Sequence, residues 1–268
     1  MEPPRRFGRF SDGRRVFYGL LEDDEHCREL PDGPFAPLRH SGPRFSINAL
    51  EILVPCLPSK ILGVGRNYRA HAAELGHPVP AEPLFFLKPP SALLAQGAEI
   101  RLPEESRRVD YEGEIGVVIG RTAWTVPPEA ALEHVLGYTC VNDVTARDLQ
   151  EHDVQFTRAK GFDTFCPVGP WVAIGLDVRA LAVETRVNGK RCQAALAADM
   201  IFDFARLISA ASCIMTLNPG DLITTGTPEG VGPLQSGDEV SVSVEGVGRL
   251  TNRVGAVSAG RRAPKGAP

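Results

Sequence analysis

Two carboxylates one residue apart carry the strongest chemical signal in the chain. They are Glu112 and Glu114 of Asp110-Tyr111-Glu112-Gly113-Glu114, which runs directly into the apolar stretch Ile115 to Ile119. That stretch reads as a strand, in which alternate side chains face opposite sides, so the two acids share one side and Gly113 leaves the other bare. Two carboxylates this close repel unless a cation lies between them or a proton is shared. Their oxygens are hard ligands that suit Mg²⁺, Mn²⁺ or Ca²⁺. A solvated strand edge with two surface acids would have the same spelling, so this segment alone leaves both readings open.

Further segments add chemistry of the same kind. Tyr138 to Val141 reads as a strand that ends in Asn142-Asp143, where Asp143 is a third oxygen ligand or else a turn residue. Arg147, in Thr145-Ala146-Arg147-Asp148-Leu149-Gln150, is a candidate anion-binding group or a partner of Asp148 or Glu151. His71 and Glu74 stand three apart, hence on one face of a helix. There the carboxylate can fix the imidazole tautomer and leave the other nitrogen as a general base, although surface pairs with this spacing are common. Lys160 lies in the segment Arg158 to Pro167, read as a loop punctuated by Gly161 and Pro167, and could meet a substrate carboxylate or a developing oxyanion. Thr225-Gly226-Thr227-Pro228-Glu229-Gly230 is a glycine-rich turn whose N–H groups and Thr227 hydroxyl could hold an anion, or simply a tight turn. Gly63 and Gly65 form a G-x-G without the third glycine of a dinucleotide site, so a nucleotide-binding protein is the weaker reading.

The elements that must position these groups are short. Gly and Pro number 27 and 23 and are spread along the chain, which argues for many strands joined by turns rather than long helices. Lys60 to Gly65, Leu222 to Thr225 and Glu239 to Val244 read as strands, Phe202 to Ser212 as an amphipathic helix, and Ala130 to Val135 as helical. Asn67 is expected to cap a helix from Tyr68 to Leu75 that stops at Gly76. Strands without regular strand–helix alternation favour a β-rich α+β fold, mostly antiparallel, over a doubly wound sheet. Residues 1–55 read as a small β-rich N-terminal domain, 56–256 as the main domain, and 257–268 as a disordered tail.

Bulk properties exclude other classes. Hydrophobic residues make up 43% and charged residues 23% of 268, enough for a sizeable core. The net charge of −4 gives no footprint for nucleic acid. No apolar run is long enough to span a membrane, and the N-terminus lacks the apolar core of a signal peptide. Six cysteines without a C-x-x-C pair read as reduced thiols, which places the protein in the cytoplasm.

Taken in order, G-R-N-Y-x-x-H-x-x-E, F-x-K-P, D-Y-E-x-E, N-D-V-T-A-R-D-x-Q, A-K-x-F-D and T-G-T-P-x-G-V-G, the segments from Lys60 to Val254 resemble the fumarylacetoacetate hydrolase superfamily. In look they are nearest its acylpyruvase and 2-hydroxyhepta-2,4-diene-1,7-dioate isomerase-like members. The resemblance implies a mixed β-sandwich-like roll with a small N-terminal domain, usually paired as a homodimer. It implies a divalent metal, Mg²⁺ or Mn²⁺ (Ca²⁺ in crystals), on Glu112, Glu114 and Asp143. His71 and Glu74 match a catalytic dyad on a lid helix, and Lys160 matches the family lysine. Arg147, Gln150 and Thr227 match substrate-binding positions, as does Lys88 of F-x-K-P. The implied reaction is on a small oxo- or dioxo-carboxylic acid through an enolate that the metal stabilises as a Lewis acid. C–C hydrolysis of an acylpyruvate-type substrate is the first expectation. Decarboxylation of a 3-oxo acid such as oxaloacetate and isomerisation of a 2-hydroxy-dienoate ring-cleavage product pass through the same enolate. A catalytically silent dimeric binding protein would keep the fold without turnover. Substrate size is expected to depend on the lid near His77-Pro78 and the loop from Glu151 to Thr157.

Overall fold

A computed structural model describes residues 4–38 and 41–258. Its frame is one large sheet packed on a smaller one. In the large sheet the strands lie in the order Arg44–Ser46, His26–Glu29, Val16–Leu21, Arg5–Ser11, Cys166–Ile174, Val135–Asn142, Gly113–Ile119, Leu222–Thr224, Ile61–Gly65 and Leu84–Lys88. The N-terminal strands therefore extend the sheet of the main domain, with Arg5–Ser11 antiparallel to Cys166–Ile174. The smaller sheet has the order Lys190–Leu196, Ala182–Val187, Glu239–Val244, Gly248–Ser258 and Glu99–Pro103. Most pairings are antiparallel; Leu222–Thr224 runs parallel to Ile61–Gly65, and Gly248–Ser258 parallel to Glu99–Pro103.

Gly113–Ile119 is buried along its whole length, and its period of two divides the core. Ile115, Val117 and Ile119 face the small sheet, where they join Val183, Val242, Val244 and Leu250. The helix Phe204–Ile214 closes that layer with Phe204, Leu207, Ile208 and Ala211. Val118 points the other way, into a cluster with Val141, Val172 and Leu222. Asp203 caps this helix, its side chain accepting from Arg206 N–H at 2.8 Å.

Several local expectations change. Asn67 does not cap the helix that follows, which is Arg69–Glu74 with Tyr68 at its N-cap position and no side-chain cap. The Asn67 amide instead donates to Phe202 O and Thr225 O and accepts from Phe202 N–H, so it joins three chain segments. Gly76 does follow the helix with φ +68°, a conformation that favours glycine. The helical stretch before Val135 is one turn of α-helix, Pro128–Ala131, and one of 3₁₀-helix, Leu132–His134. The face opposite the two glutamates is not bare, because a Cβ on Gly113 would overlap Thr185 Oγ1 of the small sheet. Val257 and Ser258, assigned to the tail, continue the strand Gly248–Ser258; residues 259–268 lie outside the described residues. All six cysteines are free thiols. Among the described residues no helix is long and apolar enough to cross a membrane.

Candidate active site

Strand register explains why acids 29 to 31 positions apart meet. Gly113 pairs with Asn142, so the residues just before and just after that pair, Glu112 and Asp143, lie side by side. The backbone holds them there: Asp143 N–H donates to Glu112 O at 2.8 Å, and Glu112 N–H to Asn142 Oδ1 at 3.0 Å. Glu114, two residues on, projects from the same face. One oxygen from each of Glu112, Glu114 and Asp143 lies within 4.8 Å of the others, and all three residues are buried.

Cations and N–H groups surround the triad. Lys160 ends the short helix Thr157–Lys160 and donates to Glu112 Oε2 at 2.8 Å and Asp143 Oδ2 at 2.6 Å. Its ammonium also sits 4.9 Å from the Phe86 ring centroid. Arg147 opens the helix Arg147–His152 and donates to Asp110 at 2.9 Å, Glu112 at 2.6 Å and Gln150 at 2.6 Å. Gly226 N–H donates to Glu114 Oε2 at 2.7 Å.

These partners drive the two glutamates apart in proton affinity. Burial works to raise Glu112, but the charges of Lys160 and Arg147 and the Lys160 hydrogen bond outweigh it and hold the carboxyl well below the usual range. At Glu114 the charge of Lys160 and the Gly226 N–H work in the lowering direction but are outweighed. Burial, then the charges of Asp143 and Glu112, push it well above the usual range. Burial would lower Lys160, yet Asp143 and Glu112 raise it, so it stays an ammonium. A triad of hard oxygen donors whose third member resists ionisation among its neighbours fits a divalent cation, which would favour the ionised form of all three.

A cavity of about 400 Å³ adjoins the triad, a size suited to a small organic acid. Glu112, Arg147, Gln150, Lys160, Thr227 and His71 all reach its wall. His71 is 4% exposed, and its Nδ1 lies 3.2 Å from Glu74 Oε2. Gly230 N–H donates to Glu74 at 3.0 Å, tying the helix Arg69–Glu74 to the glycine-rich turn. A hydrogen bond donated from Nδ1 to Glu74 leaves Nε2 as the nitrogen that faces away from that pair and can accept a proton. The turn itself is glycine-dependent, since Gly230 has φ +94° and a Cβ there would overlap Cys192 O.

Two expected anion-binding groups are differently disposed. Lys88 is fully buried beneath Asp143, donating to Oδ1 at 2.6 Å, and is not among the residues lining the cavity. The Thr227 hydroxyl donates its single proton to Gly113 O at 3.0 Å and accepts from Gln193 Nε2 at 2.8 Å. As arranged, it has no proton left for a substrate oxygen. Gln193 carried no signal in the sequence, yet its side chain joins Gly113 N–H, Thr227 and Pro228 O. Asp110 was part of a quoted motif without a role; it is fully buried and accepts from Arg147 and Arg108. The lid and loop expected to bound the substrate do contribute wall residues, His77 from one and Glu151 and Phe156 from the other.

Known proteins resemble the chain along most of its length. Residues 60–255 match the family described as fumarylacetoacetate (FAA) hydrolase C-terminal, and residues 5–55 match one described as Rv2993c-like, N-terminal. The chain is 40% identical over 246 residues to oxaloacetate tautomerase YisK of Bacillus subtilis strain 168, covering 86% of this chain and 82% of that protein. The crystal structure of 5-carboxymethyl-2-hydroxymuconate delta-isomerase from Mycobacterium smegmatis superposes with a TM-score of 0.88 at 43% identity, covering 94% and 99% of the two chains. Fumarylpyruvate hydrolase from Pseudomonas aeruginosa, solved with Mn²⁺ and pyruvate, superposes with a TM-score of 0.71 at 34% identity, covering 76% and 91%. The fold, the buried acidic triad and the family match over residues 60–255 agree: the chain belongs to the fumarylacetoacetate hydrolase family.

Proposed function

We propose that this protein is a divalent-metal enzyme that hydrolyses a C–C bond in an acylpyruvate-type 2,4-dioxo acid. The observation that carries the reading is a buried imidazole, oriented by a carboxylate, on the wall of the same cavity as Glu112, one member of a triad of buried acids. Glu112, Glu114 and Asp143 would hold Mg²⁺ or Mn²⁺, which when bound supplies Lewis-acid stabilisation of negative charge on the substrate oxygens. The fumarylpyruvate hydrolase relative, solved with Mn²⁺ and pyruvate, supports that choice of metal and acid.

The chain's own residues would divide the remaining work. His71 Nε2 accepts a proton from water as the water oxygen attacks the C4 carbonyl, while Glu74 stabilises the imidazolium that forms. The C3–C4 bond then breaks. Its electron pair stays on the pyruvate fragment as an enolate, and C4 leaves as a carboxylic acid. His71 returns the proton to C3. Lys160 and Arg147 line the cavity with N–H donors beyond those they give to Glu112, Asp143 and Asp110, and these would receive the substrate carboxylate.

A second reading has its own support. The 40% identity to an oxaloacetate tautomerase favours enolisation without water attack, in which His71 would move a proton between C3 and solvent. A turnover assay separates the two. Chelator-stripped protein is given Mg²⁺ or Mn²⁺ with acetylpyruvate, and separately with the enol form of oxaloacetate, with His71→Ala alongside. Metal-dependent release of pyruvate and acetate, lost in the variant, supports hydrolysis. Accelerated enol–keto exchange of oxaloacetate with acetylpyruvate left intact supports the tautomerase. Equal rates with and without metal on both substrates would sink the metal-enzyme reading.

A further inference from the structure

Gly113 is the spacer between two of the three acids, and on one edge its backbone has no strand to pair with. Toward Val135–Asn142 the bonds are made by Glu112, whose O accepts from Asp143 N–H and whose N–H donates to Asn142 Oδ1. The N–H and O of Gly113 point to the other edge, as the alternation of an antiparallel pair requires. The strand on that edge, Leu222–Thr224, pairs only with Gly116 to Val118. It ends at Thr224, and the chain continues as the glycine-rich turn.

Two side chains stand in for the missing strand. Gly113 N–H donates to Gln193 Oε1 at 3.0 Å, and Gly113 O accepts from the Thr227 hydroxyl at 3.0 Å. Gln193 Nε2 closes the ring by donating to Thr227 Oγ1 at 2.8 Å, and it also donates to Pro228 O at 2.8 Å. Only one orientation of the amide works, because a flip would set its NH₂ against Gly113 N–H and its oxygen against Pro228 O. Gln193 and Thr227 are both buried, so bulk water does not compete for these bonds.

The position needs such a clamp. Glycine has the freest backbone of any residue, and here it separates two carboxylates that repel each other. A stiffer residue does not fit, since a Cβ on Gly113 would overlap Thr185 Oγ1. Its N–H and O belong to the peptide planes on either side of its Cα, so holding both fixes the directions in which Glu112 and Glu114 leave the chain. We propose that Gln193 and Thr227 act together as positioning residues for the divalent metal, holding the spacer between two ligands in the geometry the ion requires and so setting the affinity for it. This rests on the divalent-metal reading given above. It gives the Thr227 hydroxyl a task within the protein in place of the substrate contact expected of it.

Metal binding tests the clamp without turnover. Mg²⁺ is titrated into chelator-stripped protein by calorimetry, with no substrate present. Gln193→Leu and Thr227→Val are each expected to bind Mg²⁺ about tenfold or more weakly than the wild type, the scale of partners that orient ligands from outside the coordination sphere. Thr227→Ser keeps the hydroxyl and is expected to restore wild-type affinity. The double variant Gln193→Leu with Thr227→Val should lose no more than the weaker single variant, because breaking either partner opens the same ring. Asp221→Asn loosens the sheet away from the triad, and it is expected to melt lower in EDTA while binding Mg²⁺ as the wild type does. The comparison of Thr227→Val with Thr227→Ser decides the matter even where Gln193→Leu fails to fold. Wild-type affinity in Thr227→Val would overturn the proposal, as would a Thr227→Ser variant that binds as weakly as Thr227→Val. Losses that add fully in the double variant would also overturn it. So would an equal loss in Asp221→Asn, which would mark general destabilisation. If the wild type binds neither Mg²⁺ nor Mn²⁺, the metal reading itself fails and this proposal falls with it.

Discussion

Glu112 and Glu114 flank one glycine on one strand face, yet their surroundings push their proton affinities in opposite directions. Glu112 has Lys160 and Arg147 hydrogen-bonded to it; at Glu114 the Lys160 charge and the Gly226 N–H are outweighed by burial and the like charges of Asp143 and Glu112. Binding of Mg²⁺ is therefore expected to raise the melting temperature of the wild type, since the ion favours the folded triad. Glu114→Gln should retain the fold and lose that response, which a thermal shift titration with and without EDTA reads directly. At His71 the expectation concerns rate. His71→Asn removes the base but preserves size, so kcat should fall about 10²- to 10⁴-fold with little change in melting temperature. A fall of less than about threefold would remove His71 from the chemistry. The sequence offered these residues as a set because their types and order are specific. It did not offer Gln193, whose partners Gly113, Thr227 and Pro228 lie 34 or more positions away along the chain and meet it through strand packing.

At the scale of elements, the site depends on how two sheets approach each other. Gly113 sits where the strand that carries Glu114 crosses Thr185 of the small sheet. Gly113→Ala is expected to force the sheets apart or displace the flanking acids, costing about 1–3 kcal/mol in denaturant unfolding. It should also weaken the Mg²⁺-dependent thermal shift, because Glu112 and Glu114 move with the backbone. An unchanged midpoint and an unchanged shift would mean that Thr185 yields at no cost. The lid helix shows the limit of local reasoning. Its six residues and its stop at Gly76 follow from helix-forming residues and a terminal glycine. Asn67 does not cap it, because three backbone groups from the 202 and 225 segments compete successfully for its amide.

At the scale of the molecule, Asp221 ties the entry of the main domain to its central sheet. It is 1% exposed and accepts from Ser59 N–H, the Ser59 hydroxyl, Asn218 N–H and the Lys60 ammonium. These contacts pin the start of Ile61–Gly65 beside Leu222–Thr224. Burial opposes its charge, but Lys60, the Asn218 N–H and Ser59 outweigh it and hold the carboxyl below its ordinary 3.8. A carboxyl depressed by folding stabilises the protein above its unfolded value and ceases to do so as pH falls through the folded value. Asp221→Asn should therefore cost about 1.5–3 kcal/mol near neutrality. The gap from the wild type should narrow as the pH is lowered past 3.8, as followed by urea midpoints across an acid series. A gap that stays constant to the lowest pH would show that the charge on Asp221 contributes nothing to folding.

Glu112, Glu114, Asp143, His71, Glu74 and Lys160, which the structure gathers at and beside the cavity, could be singled out in the sequence by side-chain type and by their order in the family resemblance. So could the strand-rich class, since short apolar runs broken by Gly and Pro allow little else. What the sequence could not decide is which atoms each group faces. Lys88 reads like a ligand for substrate but is consumed by Asp143 beneath the site, and the Thr227 hydroxyl is held by Gly113 and Gln193. Residue type and spacing are local properties. Hydrogen-bond partners, burial and backbone strain arise from contacts between distant segments, and only the packed structure brings those into being.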